Sequence, residues 1–81
     1  MSILHNRTAY ATGVSFDADR LRVYLADGRE ISVPLEWFPR LLHATNEQRQ
    51  QWELIGRGVG LHWEEIDEDI SVAGLLGLPN D

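Results

Sequence analysis

Five carboxylates fall within six consecutive residues, Glu64, Glu65, Asp67, Glu68 and Asp69, and His62 stands two positions before the first of them. Carboxylate oxygens are the preferred ligands of hard divalent cations, and strand alternation would bring His62 and Glu64 to one side. The Asp-x-Asp-x-Asp-Gly order of a calcium loop is missing, however, and a zinc centre would want more nitrogen ligands. No metal is therefore assigned to this corner. A plainer reading places Asp67, Glu68 and Asp69 just ahead of a terminal helix, where carboxylates favour the positive end of the dipole and Ser71 or Asp69 can cap.

Other chemistry is harder to assemble. His5, His43 and His62, with the early serines Ser2 and Ser15, show no spacing that joins a nucleophile, a base and an orienting group. His43, at the end of a predicted helix, compensates its dipole. Gly56-Arg57-Gly58-Val59-Gly60 resembles a phosphate-cradling loop only superficially, because a strand follows it instead of a long helix, and no Gly-Lys-Ser or Gly-Lys-Thr occurs. It reads as a turn. So short a chain has little room for a deep pocket that excludes water, and neither an enzyme nor a bound cofactor is expected.

Binding is the chemistry that remains. Trp and Arg dominate the energetics of protein interfaces, and the chain holds three Trp. A small core claims most large side chains, so Trp37, between Leu35 and Phe38 at a helix start, is the candidate for exposure. The expected partner-binding set is Trp37, Arg40, Arg57 and Trp63 with Glu64, Glu65, Asp67, Glu68 and Asp69.

Composition narrows the partner. Thirteen acids oppose seven bases for a formal charge of -6, and every base is Arg. They stand at 7, 20, 22, 29, 40, 49 and 57, with no basic stripe. Binding to a phosphate backbone needs clustered cations that release counterions, so direct nucleic-acid binding is not expected and a basic protein suits better. Residues 1–10 lack the apolar run of a signal peptide, and no stretch approaches membrane-spanning length. A cytoplasmic protein with no membrane partner is the expectation. The 81 residues form one domain over 1–81, with 1–10 and 78–81 expected to be flexible. Cysteine is absent, which leaves 43% hydrophobic content to supply the stability, and a homodimer or permanent partner would supplement it.

The elements that must position these residues follow from periodicity. Ala11 to Phe16, Leu21 to Leu25 and the segment holding Ile31 and Val33 alternate as three strands. Val14 and Phe16 share a face with Leu21 and Val23 only across an even-length loop, which Asp17-Ala18-Asp19-Arg20 provides. A two-residue turn at Asp27-Gly28 would put the apolar sets of the next pair on opposite faces. A three-residue bulged turn, Ala26-Asp27-Gly28 with Gly28 left-handed, pairs Leu25 with Arg29 and Val23 with Ile31. Pro34 ends that strand, and residues 36–44 read as a helix with Pro39 tolerated in its first turn. Thr45-Asn46-Glu47-Gln48 has capping-box form and opens a helical turn through Gln51.

Trp52 to Ile55 and Leu61 to Trp63 read as a hairpin about Arg57-Gly58. That register opposes Trp52 with Trp63 and Leu54 with Leu61. Ser71 to Leu76 is a last helix burying Val72, Leu75 and Leu76. The expected fold is α+β, a small antiparallel sheet of about five strands, a meander plus a hairpin, with two or three short helices.

Trp52-Glu53-Leu54-Ile55-Gly56, Gly60-Leu61-His62-Trp63 and the run from Ile66 through Asp67-Glu68-Asp69-Ile70-Ser71 to Leu76 resemble the bacterial domain of unknown function 2442 family (DUF2442). Phe38-Pro39-Arg40-Leu41-Leu42 and Asp27-Gly28-Arg29 are similar to it as well, so the resemblance spans most of residues 11–77. Glu64 departs from the pattern, which would place a Pro after the Trp. The resemblance implies a small bacterial protein, in some relatives fused to a helix-turn-helix domain and often encoded beside another small protein. It implies no catalytic residues. Together with the charge it suggests an antitoxin-like interaction protein that binds a small basic partner, possibly a gene neighbour's product. The alternative is a ligand-sensing regulatory module of the kind fused to helix-turn-helix domains.

Overall fold

A computed structural model describes residues 9–77. Three strands lead, β1 (Ala11–Phe16), β2 (Arg20–Leu25) and β3 (Glu30–Pro34). A 3-10 turn (Leu35–Trp37) and two single-turn helices, α1 (Pro39–Leu42) and α2 (Asn46–Arg49), come next. Strands β4 (Trp52–Ile55), β5 (Gly60–Trp63) and β6 (Glu68–Ser71) then precede α3 (Val72–Leu75). The class is α+β, but the strands form two three-stranded antiparallel sheets, ordered β1-β2-β3 and β4-β5-β6. The expectation of one sheet of about five strands is corrected on both points. The acidic segment contributes a sixth strand, and no ladder joins the first sheet to the second.

The meander keeps the register that parity requires. Phe16 lies opposite Leu21 and Val14 opposite Val23, and Val23 lies opposite Ile31. The second turn is the bulged form: Leu25 N–H donates to the Arg29 carbonyl over 2.8 Å, and Gly28 has φ of 96°. Asp27 secures it by accepting from the Arg29 amide at 3.0 Å and from its guanidinium at 2.9 Å. The Arg29 amide is the main reason the Asp27 carboxyl titrates below its ordinary range. β1 carries a bulge at Thr12, since Ala11 faces Leu25 while Gly13 faces Tyr24. The bulge turns Ala11 inward, where it is buried.

The single helix expected over 36–44 is instead broken. Phe38 has φ of −127° and ψ of 83°, a non-helical conformation in keeping with the following proline ring, which disfavours the helical region at the residue before it. Pro39 opens α1 in its first turn, where it displaces no intrahelical amide. The capping box ahead of α2 is complete: Gln48 N–H donates to Thr45 Oγ1 at 3.0 Å and Thr45 N–H to Gln48 Oε1 at 2.9 Å. Ser71 Oγ caps α3 by accepting from Gly74 N–H at 3.0 Å. Val72 is buried, with Leu75 and Leu76 half-buried against the core.

One core spans both sheets, with Leu21, Val23, Leu35, Leu41, Leu61, Trp63 and Val72 fully buried. Beyond that shared core, a backbone hydrogen bond and a ring contact join the sheets. Ala11 N–H donates to the Gly58 carbonyl at 2.7 Å, and the Phe16 and Trp63 rings meet edge to face at 6.5 Å. Arg49 ties α1 and α2 to this junction. Its guanidinium donates to the Leu41 and Leu42 carbonyls, both at 2.9 Å, and lies 5.5 Å from the Phe16 ring centroid. Its own carbonyl accepts the Trp63 indole N–H at 3.1 Å. Of the ends expected to be flexible, 1–8 and 78–81 lie outside the described residues, whereas Tyr10 is held by Ala26 N–H donating to its carbonyl at 2.8 Å.

Candidate functional site

The acidic run is a hairpin. Trp63 pairs with Glu68 and His62 with Asp69, so residues 64–67 form the turn between β5 and β6. Asp67 N–H donates to the Glu64 carbonyl at 3.3 Å, and Asp67 adopts a left-handed φ of 54°, which Asp tolerates better than most residues. The acids expected just ahead of the last helix thus form a turn and a strand that lead into it, and of the two caps expected Ser71 is the one that serves α3.

Strand alternation sorts the side chains into two groups. His62, Glu64 and Asp69 share the face away from Trp63. His62 Nε2 and Glu64 Oε1 are 2.7 Å apart, and His62 Nδ1 is hydrogen-bonded to Asp69 Oδ1. Glu64 first, then Asp69, holds the imidazole in its charged form and raises its pKa from 6.5 to about 9. Both ring nitrogens are thus committed to carboxylates. Among the described residues no three such side chains are arranged to hold a metal ion.

Glu68, opposite Trp63, points toward the core side. Burial raises its carboxyl above the ordinary range, and Arg40 pulls it the other way. Arg40 Nη1 donates to the Asp67 carbonyl and lies 3.8 Å from Asp67 Oδ2. Gln48 Nε2 donates to Glu65 Oε2 at 3.2 Å. Glu64, Glu65, Asp67 and Asp69 therefore each have a partner within the fold, yet they stay in water: the Glu64 side chain is 83% exposed, Asp67 91% and Asp69 66%. Five carboxylates face two cations here, Arg40 and protonated His62, so the turn remains anionic.

The residues named from sequence divide accordingly. Trp37 is 61% exposed and stands three positions before Arg40, which reaches the turn. Glu64, Glu65, Asp67, Glu68 and Asp69 gather there. Trp63 does not join them, because it is 1% exposed and its indole is used by Phe16 and Arg49. Arg57 lies in the β4–β5 turn, at the far end of β5, about 13 Å along a strand of this length. Gln48 was overlooked as a member. Its signal was the capping box, which fixes one end of the amide and leaves its Nε2 to reach Glu65.

The solved structures that resemble this one carry no assigned activity. A protein of unknown function from Rhodospirillum rubrum superposes with a TM-score of 0.73 at 31% identity, over 93% of this chain and 94% of that one. An uncharacterised protein from Chromobacterium violaceum gives a TM-score of 0.70 at 27% identity, over 84% of this chain; the match spans 64% of that longer protein. A search of curated proteins finds no match. Among the described residues no helix is long and apolar enough to cross a membrane. The family of proteins of unknown function DUF2442 matches residues 11–78, and the chain belongs to that family.

Proposed function

We propose that this chain is a non-enzymatic interaction protein of the cytoplasm, antitoxin-like in being the acidic member of a pair. It binds a small basic protein through Trp37 and the 64–67 turn. The observation that carries this reading is the 61% exposure of Trp37. Leaving the largest apolar side chain in water forgoes a sizeable burial gain in a small domain, which a partner's surface would recover. In the 64–67 turn, which Arg40 reaches from three positions beyond Trp37, carboxylates already held by His62, Gln48 and Arg40 lose little rotamer freedom when a cation docks. Such a pairing gains rate and specificity from charge, and weakens as salt screens it.

The test is co-expression with the product of the adjacent gene, followed by size exclusion at about 50 mM and about 0.3 M salt. Co-elution at low salt that fades at high salt supports the reading. Trp37→Ala should weaken the complex roughly 30-fold, an anchor's share of about 2 kcal/mol, while leaving the melting temperature within a degree or two. Two separate peaks at low salt for the unmodified chain, or a complex indifferent to Trp37→Ala, would remove the support.

A further inference from the structure

We propose that the free edge of β4 docks a second copy of this chain, with a two-fold axis passing beside Leu54. The order β4-β5-β6 leaves β4 at an edge. Its sequence, Trp-Glu-Leu-Ile, holds no Lys, Pro or bulge, the devices that normally blunt such an edge. Exposed large apolar side chains concentrate on it and its turn: Leu54 is 41% exposed, Ile55 39% and Val59 43%. This surface shares no residue with the one around Trp37, and the proposal does not rest on the basic partner.

Charge selects the occupant and the register. Glu53 and Arg57 form no ion pair or hydrogen bond among the described residues, although most other charged side chains of the two sheets do. A two-fold axis perpendicular to the sheet preserves its faces, so opposed residues must share parity. The axis can then fall on any of the four residues of β4, but on Trp52 or Ile55 it would oppose a single strand residue of each copy, whereas on Glu53 or Leu54 it opposes three. Centring it on Glu53 sets two like charges directly opposite, which is destabilising. Centring it on Leu54 opposes the two Leu54 side chains and sets Glu53 against the partner's Ile55. Glu53 is then diagonal to the partner's Arg57, within reach of a long side chain.

The same register brings Trp52 against the partner's Gly56, which has no side chain and leaves room for the indole. Each copy therefore supplies what the other lacks: a carboxylate for a guanidinium, a large ring for a gap, and ladder groups for ladder groups. A continuous six-stranded sheet, β6-β5-β4 followed by the same three strands reversed, results.

Sedimentation velocity at about 50 µM protein tests the proposal, alongside charge reversals at exposed positions that leave the core untouched. The unmodified chain should sediment as a dimer. Glu53→Arg and Arg57→Glu should each weaken self-association roughly tenfold, since each breaks two symmetric pairs and creates two repulsions, and the double variant should restore it. The chain lacks cysteine, so Leu54→Cys alone should also yield an oxidised covalent dimer rapidly, and Glu53→Cys slowly. A monomer at that concentration, a dimer unaffected by either reversal, or faster crosslinking at position 53 would overturn the proposal.

Discussion

The two sheets share a core but no ladder, so the place where their backbones touch should be unusually intolerant of added atoms. Gly58 is that place. It is buried, its φ is 111°, and its carbonyl accepts the Ala11 amide at 2.7 Å. A Cβ built on it would overlap the Ala11 carbonyl oxygen and press on the Ala11 amide nitrogen at 3.0 Å. Gly28 is its control: φ is 96°, and nothing lies within 4 Å of where its Cβ would stand. Gly28→Ala therefore incurs only the conformational cost of a left-handed alanine, about 1–2 kcal/mol.

Gly58→Ala carries the same cost plus displacement of β1. Moving Ala11 away strains or breaks a buried backbone hydrogen bond, worth about 1–3 kcal/mol when its groups are left unmatched. The two variants should thus differ by about 2 kcal/mol, or about 10 °C in melting temperature for a domain of this size. Urea unfolding gives the difference from the midpoints, provided the slopes agree with that of the unmodified chain. Equal destabilisation by the two alanines would refute the reasoning, because it would mean that only backbone conformation matters at Gly58 and that the sheets do not meet there.

Further expectations concern the polar nodes. Arg49→Met keeps the apolar stem but removes a part-buried hydrogen bond to the Leu41 carbonyl, which retains the Ala44 amide, and an exposed one to the Leu42 carbonyl, and should cost about 1–2 kcal/mol in urea melts. Arg49→Lys should recover less than half of that, since an ammonium cannot fork between two carbonyls while lying over Phe16; full recovery would show the charge alone suffices. His62 titrates near 9 when folded against 6.5 when unfolded. Its contribution to stability is therefore complete below about pH 6.5 and is lost as pH rises through about 9. Unfolding midpoints should fall over that window more steeply for the unmodified chain than for His62→Gln, and superimposable profiles would contradict the assignment.

The parts of this fold that sequence made legible are those where faces had to agree. Leu25, Val23 and Ile31 admit one shared face only through a three-residue turn, and Trp52, Leu54, Leu61 and Trp63 through one hairpin register. β6 was not legible because Glu68 and Asp69 are poor strand formers by type, and acids before a helix have a ready alternative explanation. They hold a strand because Ile70, buried opposite Leu61, anchors it, and because His62 lies across from Asp69. The parity rule applied to Leu61 and Ile70 would have found it, since both sit inward and an even loop separates them. The bulge at Thr12 and the reach of Arg49 left no local trace: each is decided by what arrives from elsewhere in the chain.

The candidate site was legible in its composition and not in its state. Glu64, Glu65 and Asp67 stood out as charge, but only folding reveals that the protein's own His62, Gln48 and Arg40 hold them without withdrawing them from water. Fold support and partner binding are then not rival uses of one carboxylate. An exposed acid with one oxygen engaged still offers its remaining lone pairs, and it offers them from a fixed position. The two proposed surfaces extend this logic. Self-association through β4 uses Glu53, Leu54, Ile55 and Arg57, which leaves Trp37 and the 64–67 turn of both copies free. A dimer would present two acidic turns to a partner that is itself dimeric, or to two partners at once, and the second attachment would proceed at an effective concentration set by the rigid sheet between them. An affinity that drops when β4 is charge-reversed, although no reversed residue belongs to the surface around Trp37, would be the signature of that arrangement.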